Sequence, residues 1–178
     1  MRIISGKFRG KVIPSPKQEV VKPTLDRVKE NIFNILQFQI AGARCLDLFC
    51  GSGALGLECI SRGAKEVAFV DNNRANVEAL KKFLAGLNVQ NYRAMTCDFY
   101  DALKHFSQKE EKFDIILLDP PFDSNLADIA ISKIFKFDLL SENGIVVHER
   151  SAATPSKFAP KVTDTRVYGT VAVDFLRK

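Results

Sequence analysis

The chain of 178 residues has no tryptophan, only two histidines, and no C-x-x-C pair among its four cysteines. Without that pairing, Cys45, Cys50, Cys59 and Cys97 read as small buried hydrophobes in a reducing compartment, and no metal is expected. There is no secretory leader and no apolar run long enough to cross a bilayer, so the expectation is a cytoplasmic protein without a membrane partner. Acidic residues are scarce at one end. Residues 1–25 carry Arg2, Lys7, Arg9, Lys11, Lys17 and Lys22 against Glu19 alone, which accounts for the whole net charge of +5. A basic arm on a neutral body points to a polyanionic partner met by one end of the molecule, or to a merely solvated terminal hairpin.

What is present is a regular alternation. The length suits one domain that buries roughly two-thirds of its unfolded surface. Residues 1–13 read as two short strands around Gly6 and Gly10, closed by Pro14 and Pro16. From Thr24, a fair N-cap, Leu25, Val28, Ile32, Ile35 and Leu36 recur on one helical face, with Asp26, Arg27, Lys29 and Glu30 largely off it. Apolar strand runs follow at 45–49, 66–71, 92–97, 113–118 and 144–148. Helical runs at 54–62, 72–87, 99–106 and 125–135 separate them. A hairpin at 162–168 and 171–176 ends the chain. Such alternation predicts an α/β domain with a mostly parallel seven-stranded sheet, helices on both faces, and an antiparallel strand from the terminal hairpin. Residues 1–23 form the arm and 24–178 the body.

The organising stretch is Asp47-Leu-Phe-Cys-Gly-Ser-Gly-Ala-Leu-Gly56, a strand running through a glycine turn into a helix. Gly51 and Gly53 allow a sharp turn and close approach of a ligand, and the helix start offers free N–H groups to a nucleotide-like cofactor. Gly51-x-Gly53-x-x-Gly56 also matches the dinucleotide fingerprint, so the turn alone does not choose the cofactor. In parallel sheets ligands sit beyond the carboxyl ends of the strands, and Asp71, Asp98 and Asp119 each end one. Asp71 suits the two ribose hydroxyls of an adenosine, or caps the helix beginning near Asn72. Asp98 suits the adenine amine with Phe99 against the ring, or caps its own helix. Asp119-Pro120-Pro121-Phe122 is more specific. Two prolines remove two backbone donors, leaving the Asp119 carboxylate and the Asp119 and Pro120 carbonyls as an acceptor cluster beside an aromatic plate. That combination fits a planar substrate bearing an amino group.

Asp-Pro-Pro-Phe resembles the catalytic motif of S-adenosylmethionine-dependent methyltransferases that act on exocyclic amines of nucleobases. The stretch Asp47 to Glu58 with Ser61-Arg-Gly-Ala64, the opening Arg2-Ile-Ile-Ser-Gly-Lys-Phe-Arg-Gly-Lys11, and Lys22-Pro-Thr-Leu-Asp-Arg-Val-Lys-Glu30 are similar to the bacterial RsmD family over essentially the whole chain. The resemblance implies a Rossmann-like class I methyltransferase acting on a guanine N2 of small-subunit (16S) ribosomal RNA during ribosome maturation. It further implies that Gly51-Ser52-Gly53 hold the methionine part of S-adenosylmethionine, Asp71 the ribose, and Asp98 with Phe99 the adenine, with Asp47 and Asn72 also in the cofactor site. Asp119 to Phe122 would hold the base, and Arg2, Lys7, Arg9, Lys11, Lys22, Thr24 and Arg27 the RNA. Phe122, Cys50 and Lys22 stand where the family usually has tyrosine, alanine and arginine. The expected partner is a partly or fully assembled small subunit, met by a monomer. Three alternatives are an N6-adenine nucleic-acid methyltransferase, a non-catalytic RNA-binding protein, and an NAD-dependent dehydrogenase. The last leaves the Asp-Pro-Pro-Phe loop unexplained and lacks room for a substrate domain.

Overall fold

The computed structural model describes residues 1–14, 23–121 and 125–178, with side chains in the first helix from Asp26 onward. Seven strands form one sheet in the order β3-β2-β1-β4-β5-β7-β6. They are β1 (Arg44–Leu48), β2 (Glu66–Asp71), β3 (Tyr92–Thr96), β4 (Phe113–Leu118), β5 (Leu140–Ser151), β6 (Val162–Tyr168) and β7 (Val171–Leu176). β1 to β5 pair in parallel, and β7 runs antiparallel between β5 and β6, as the terminal hairpin predicts.

Side-chain alternation divides the interior in two. One layer joins Cys45, Ile115, Leu117 and Val147 to helices α1 (Pro23–Ile35), α2 (Ala54–Ser61) and α3 (Arg74–Gly86) through Ile32, Phe33, Leu57, Leu80 and Leu84. The other joins Leu46, Ile116, Leu118 and Val146 to α4 (Phe99–Gln108) and α5 (Leu126–Lys136) through Leu103, Phe106, Ile131 and Ile134. Sealing on both faces explains why β1 and β4 read as nearly unbroken apolar runs.

Several local expectations are corrected. β5 begins at Leu140, well before Gly144, because the polar Ser-Glu-Asn-Gly stretch is an irregularity inside the strand and not a turn before it. A Cβ on Gly144 would lie 2.9 Å from the Phe113 carbonyl oxygen, so only glycine allows this approach. α3 starts at Arg74, not Asn72, because the Asn73 side chain caps it by accepting from the Ala75 and Asn76 amides. Phe49 lies outside β1 with φ 73°, a left-handed conformation where the strand breaks into the glycine turn.

The N-terminal hairpin contracts to one antiparallel bridge, Arg2 to Val12, and is fastened to α2. Glu58, fully buried, accepts from the Ile4 and Ser5 amides at 2.8 and 3.0 Å and from Arg62 Nε at 2.8 Å. Lys29 turns inward, contrary to its expected place on the polar face: its ammonium reaches the Arg2 carbonyl at 2.6 Å and lies 3.7 Å from Glu58. Burial lowers its pKa, and Glu58 opposes the shift. Gly6 donates no side chain here for a reason: at φ +80° its Cβ would fall 1.9 Å from the Ser61 carbonyl oxygen. Ile3 and Ile13 complete the seal by joining the α1–α2 core.

Candidate active site

The glycine turn is held from β2. Val70 accepts from the Phe49 and Cys50 amides, and Asp71, the last residue of β2, accepts from the Gly51 amide at 2.7 Å. Its second oxygen accepts from the Asn73 amide at 2.8 Å. Asp71 is therefore a brace between two turns and not the cap of α3. Each carboxylate oxygen keeps a further lone pair, so the brace still suits a polyol. Gly51, at φ 52°, has nothing within 4 Å of where a Cβ would stand, whereas a Cβ on Gly53 would meet Leu80 and one on Gly56 would meet Phe69 at 2.2 Å. Gly51 thus faces open space for a ligand, and Gly56 serves helix-on-strand packing. Ser52 is half-buried in the same turn, and Asn72 is exposed beside Asp71.

Asp98 is the N-cap of α4, accepting from the Tyr100 amide at 2.8 Å while remaining exposed. Its neighbour Phe99 packs on Phe49, ring centroids 5.2 Å apart, so the two rings make one apolar wall at the ends of β1 and β3. Nothing in the sequence marks Phe49 apart from its place before the glycines.

Asp47 is buried and accepts from the Gly56 amide at 2.8 Å. Burial, with Asp119 and Asp71 nearby, pushes its carboxyl up to about 7 against that hydrogen bond. Asp119 stands exposed one residue past β4, and Pro120 after it is buried. Among the described residues none donates to the Pro120 carbonyl. Phe122 lies outside the described residues.

Glu149, near the end of β5, was not singled out from the sequence. The expected strand stopped at His148, one residue short of a carboxylate ending an apolar run, the very signal that marked Asp71, Asp98 and Asp119. Glu149 is 6 % exposed, and burial together with Asp119 and Asp47 raises its carboxyl well above the usual range. Beside it Arg150 grips the buried Asp174 through Nε at 2.6 Å and Nη2 at 3.0 Å, and Thr165 donates to the same carboxylate. Arg150 also donates to the Ser151 and Thr154 carbonyls, which fixes the loop that leaves β5.

The basic residues divide. Arg2, Arg9 and Arg27 line one groove of about 430 Å³ between the arm and α1, shared with Asp26 and Glu30. Lys7 lies over the Phe8 ring, and Lys11 is exposed and does not line this groove. Lys22 lies outside the described residues and Thr24 is described by its backbone alone. Lys29 pairs with Glu58, and Arg62 stacks on Phe33, so α1 and α2 run side by side in one direction. The start of α1 is thereby carried toward the end of the sheet that bears the glycine turn. All four cysteines are free thiols, and no helix among the described residues is long and apolar enough to cross a membrane.

Comparison with known proteins agrees with this geometry. The sequence profile of the family described as "Conserved hypothetical protein 95" matches residues 1–177. The chain is 40% identical over 157 residues to the "Ribosomal RNA small subunit methyltransferase D" of Haemophilus influenzae, spanning 87% of this chain and 81% of that one. It is also similar to the structure described as "Putative methyltransferase yhhF from Escherichia coli", with TM-score 0.85, 33% identity, and coverage of 100% of this chain and 98% of that one. A structure described as "a putative methyltransferase complexed with SAH" shares the fold at 19% identity and TM-score 0.66, over 84% of this chain and 49% of that one.

Proposed function

Since the chain belongs to the family described as conserved hypothetical protein 95, the RsmD family, we propose that it transfers a methyl group from S-adenosylmethionine to the exocyclic N2 of a guanine in small-subunit (16S) ribosomal RNA. The observation that carries this reading is the position of Asp119 and Pro120. They offer a carboxylate and a carbonyl to which no described residue donates, at the strand end next to the one that opens the glycine turn.

The residues present fit the cofactor. Gly51 to Gly53 with Ser52 form an open turn for its methionine end, Asp71 and Asn72 reach its ribose, and Asp98 with Phe99 its adenine. Asp47, burdened by two neighbouring carboxylates, gains from a cation at this place. When bound, S-adenosylmethionine supplies an electrophilic methyl group on a positively charged sulfur.

The chain's own task is to aim a weak nucleophile. The N2 lone pair of guanine is delocalised into its ring, and the amine's two N–H groups find acceptors in Asp119 and the Pro120 carbonyl. Those two bonds favour a pyramidal nitrogen and fix its direction, and positioning of this kind is worth up to about 7–11 kcal/mol. Positive charge grows on the nitrogen as it gains the methyl group, and the Asp119 carboxylate stabilises it. The amine then gives up one proton to Asp119 or to water. Phe122 supplies the surface on which the base stacks after it leaves its own stack.

Residues 1–23 serve as the RNA-contacting arm of a catalytic domain formed by 24–178. Arg2, Arg9 and Arg27 provide phosphate attraction, joined by Lys7, Lys11 and Lys22, and this attraction is indifferent to sequence. Selectivity then comes from the shape of the substrate, a partly or fully assembled small subunit approached by a monomer in the cytoplasm during ribosome maturation. The test compares methyl incorporation into protein-free rRNA and into assembled particles lacking the modification. Faster and more selective transfer to particles is expected, and equal rates with equal selectivity overturn the choice of substrate.

A further inference from the structure

Glu149 is a buried carboxyl group that holds no other described residue in place. Its peers are fully engaged: Glu58 holds the arm, Asp174 holds Arg150 and Thr165, and Asp47 holds the Gly56 amide. Among the described residues none donates a hydrogen bond to the Glu149 side chain, and no cation pairs with it. Yet its oxygens are not among the sealed, unpartnered atoms of the interior, so they stay open to a donor that enters from outside.

The register says where that donor lies. β4 and β5 are parallel, with Leu117 opposite Val147 and Leu118 opposite His148. Pro120 keeps Asp119 extended, so the next step sets Asp119 beside Glu149. Leu117 and Val147 face the same core layer, and period-two alternation puts Asp119 and Glu149 on that same face, one strand spacing of about 4.8 Å apart. The electrostatic influence of Asp119 on Glu149 agrees with this placement.

Guanine carries two adjacent donor groups on its pairing edge, the N2 amine and N1–H. With the amine at Asp119 and Pro120, the neighbouring N1–H needs an acceptor beside Asp119. Adenine in the same pose would present a bare N1 lone pair there, which repels the charged carboxylate and can be met only by its protonated form. We propose that Glu149 accepts the N1–H of the target base and so makes the site select guanine over adenine, an inference that rests on the reading of Asp119 and Pro120 given above. Burial and two neighbouring carboxyls hold Glu149 above the usual carboxylate range, and an N–H donor at this place stabilises its charged form. Arg150, the nearest cation in sequence, is turned to Asp174 and does not compete.

The test uses small-subunit particles reconstituted with rRNA that carries guanine or 2-aminopurine at the nucleotide the wild-type protein methylates. 2-Aminopurine keeps the exocyclic amine and lacks N1–H. Wild-type kcat/KM should fall roughly tenfold or more on 2-aminopurine, as for loss of a hydrogen bond to a charged group. Glu149→Gln keeps an acceptor oxygen and gains a donor, so it should lose less on guanine, keep its stabilisation by S-adenosylmethionine, and narrow the guanine-to-2-aminopurine ratio toward one, because its amide can donate to N1. An unchanged guanine-to-2-aminopurine ratio in Glu149→Gln would overturn the proposal. Equal wild-type rates on the two bases would overturn it without any variant. Failure of the wild type on both bases would instead sink the underlying guanine-N2 reading.

Discussion

The Gly51 amide donates to Asp71 Oδ2 at 2.7 Å, so the turn that ends β1 is set by the last residue of β2. The same carboxylate holds the Asn73 amide, which makes Asp71 both a candidate ribose ligand and the brace of the loop around the cofactor. Each charge-assisted bond of this kind is worth about 1.5–3 kcal/mol. Asp71→Ala should therefore weaken S-adenosylmethionine binding by roughly tenfold or more, and Asp71→Asn should do less harm because an acceptor oxygen remains. Titration calorimetry on the folded variants measures this directly. Unchanged affinity in the alanine variant would remove Asp71 from the cofactor site.

Asp47 gives the protein a pH dependence of definite sign. Its carboxyl is pushed up to about 7 in the fold, against roughly 3.9 in an unfolded chain. The folded state holds the proton more tightly, so this contribution to stability is complete below about pH 4 and is lost as pH rises through about 7. The loss is of order 4 kcal/mol at most. Asp47→Asn, whose amide oxygen can still accept from Gly56, should be more stable than the wild type at pH 8 and lose that advantage toward pH 5. Denaturant melts of both proteins across this range decide it. A gap that does not change with pH would contradict the assignment.

Seating of the arm can be broken without touching its charges. A Cβ on Gly6 would lie 1.9 Å from the Ser61 carbonyl oxygen at a φ of +80°. Gly6→Ala should detach the arm from α2 at a cost of about 1–3 kcal/mol, abolish RNA methylation, and leave cofactor binding intact. Hydrogen exchange at the Ile4, Ser5 and Lys7 amides, which Glu58 and Ser61 protect, reports the detachment. Protected amides with full activity in this variant would show that the arm is not positioned this way.

The parallel sheet and the helices on both its faces were legible because each buried strand is a short apolar run and each helix repeats its apolar face, whereas the order of the strands was not read. Strand ends were legible wherever a carboxylate followed the run, which marked Asp71, Asp98 and Asp119. Glu149 escaped because β5 extends past His148. Lys29 escaped because a lysine on a helix reads as solvated unless its partner is known, and Glu58 lies 29 residues away on another helix. Phe49 owes its role to a backbone conformation, and Arg150 to a partner on β7, neither of which has a local pattern in the sequence.

The claim that Asp119 presents a guanine N2 for methylation is tested most directly by identifying the product. Unmodified small subunits are incubated with S-adenosylmethionine and either the wild-type protein or Asp119→Ala, and the rRNA nucleosides are then resolved by mass spectrometry. The expected result is N2-methylguanosine with the wild type and none with Asp119→Ala, although that variant still binds the cofactor. N6-methyladenosine as the wild-type product, or full N2-methylguanosine formation by Asp119→Ala, would contradict the account.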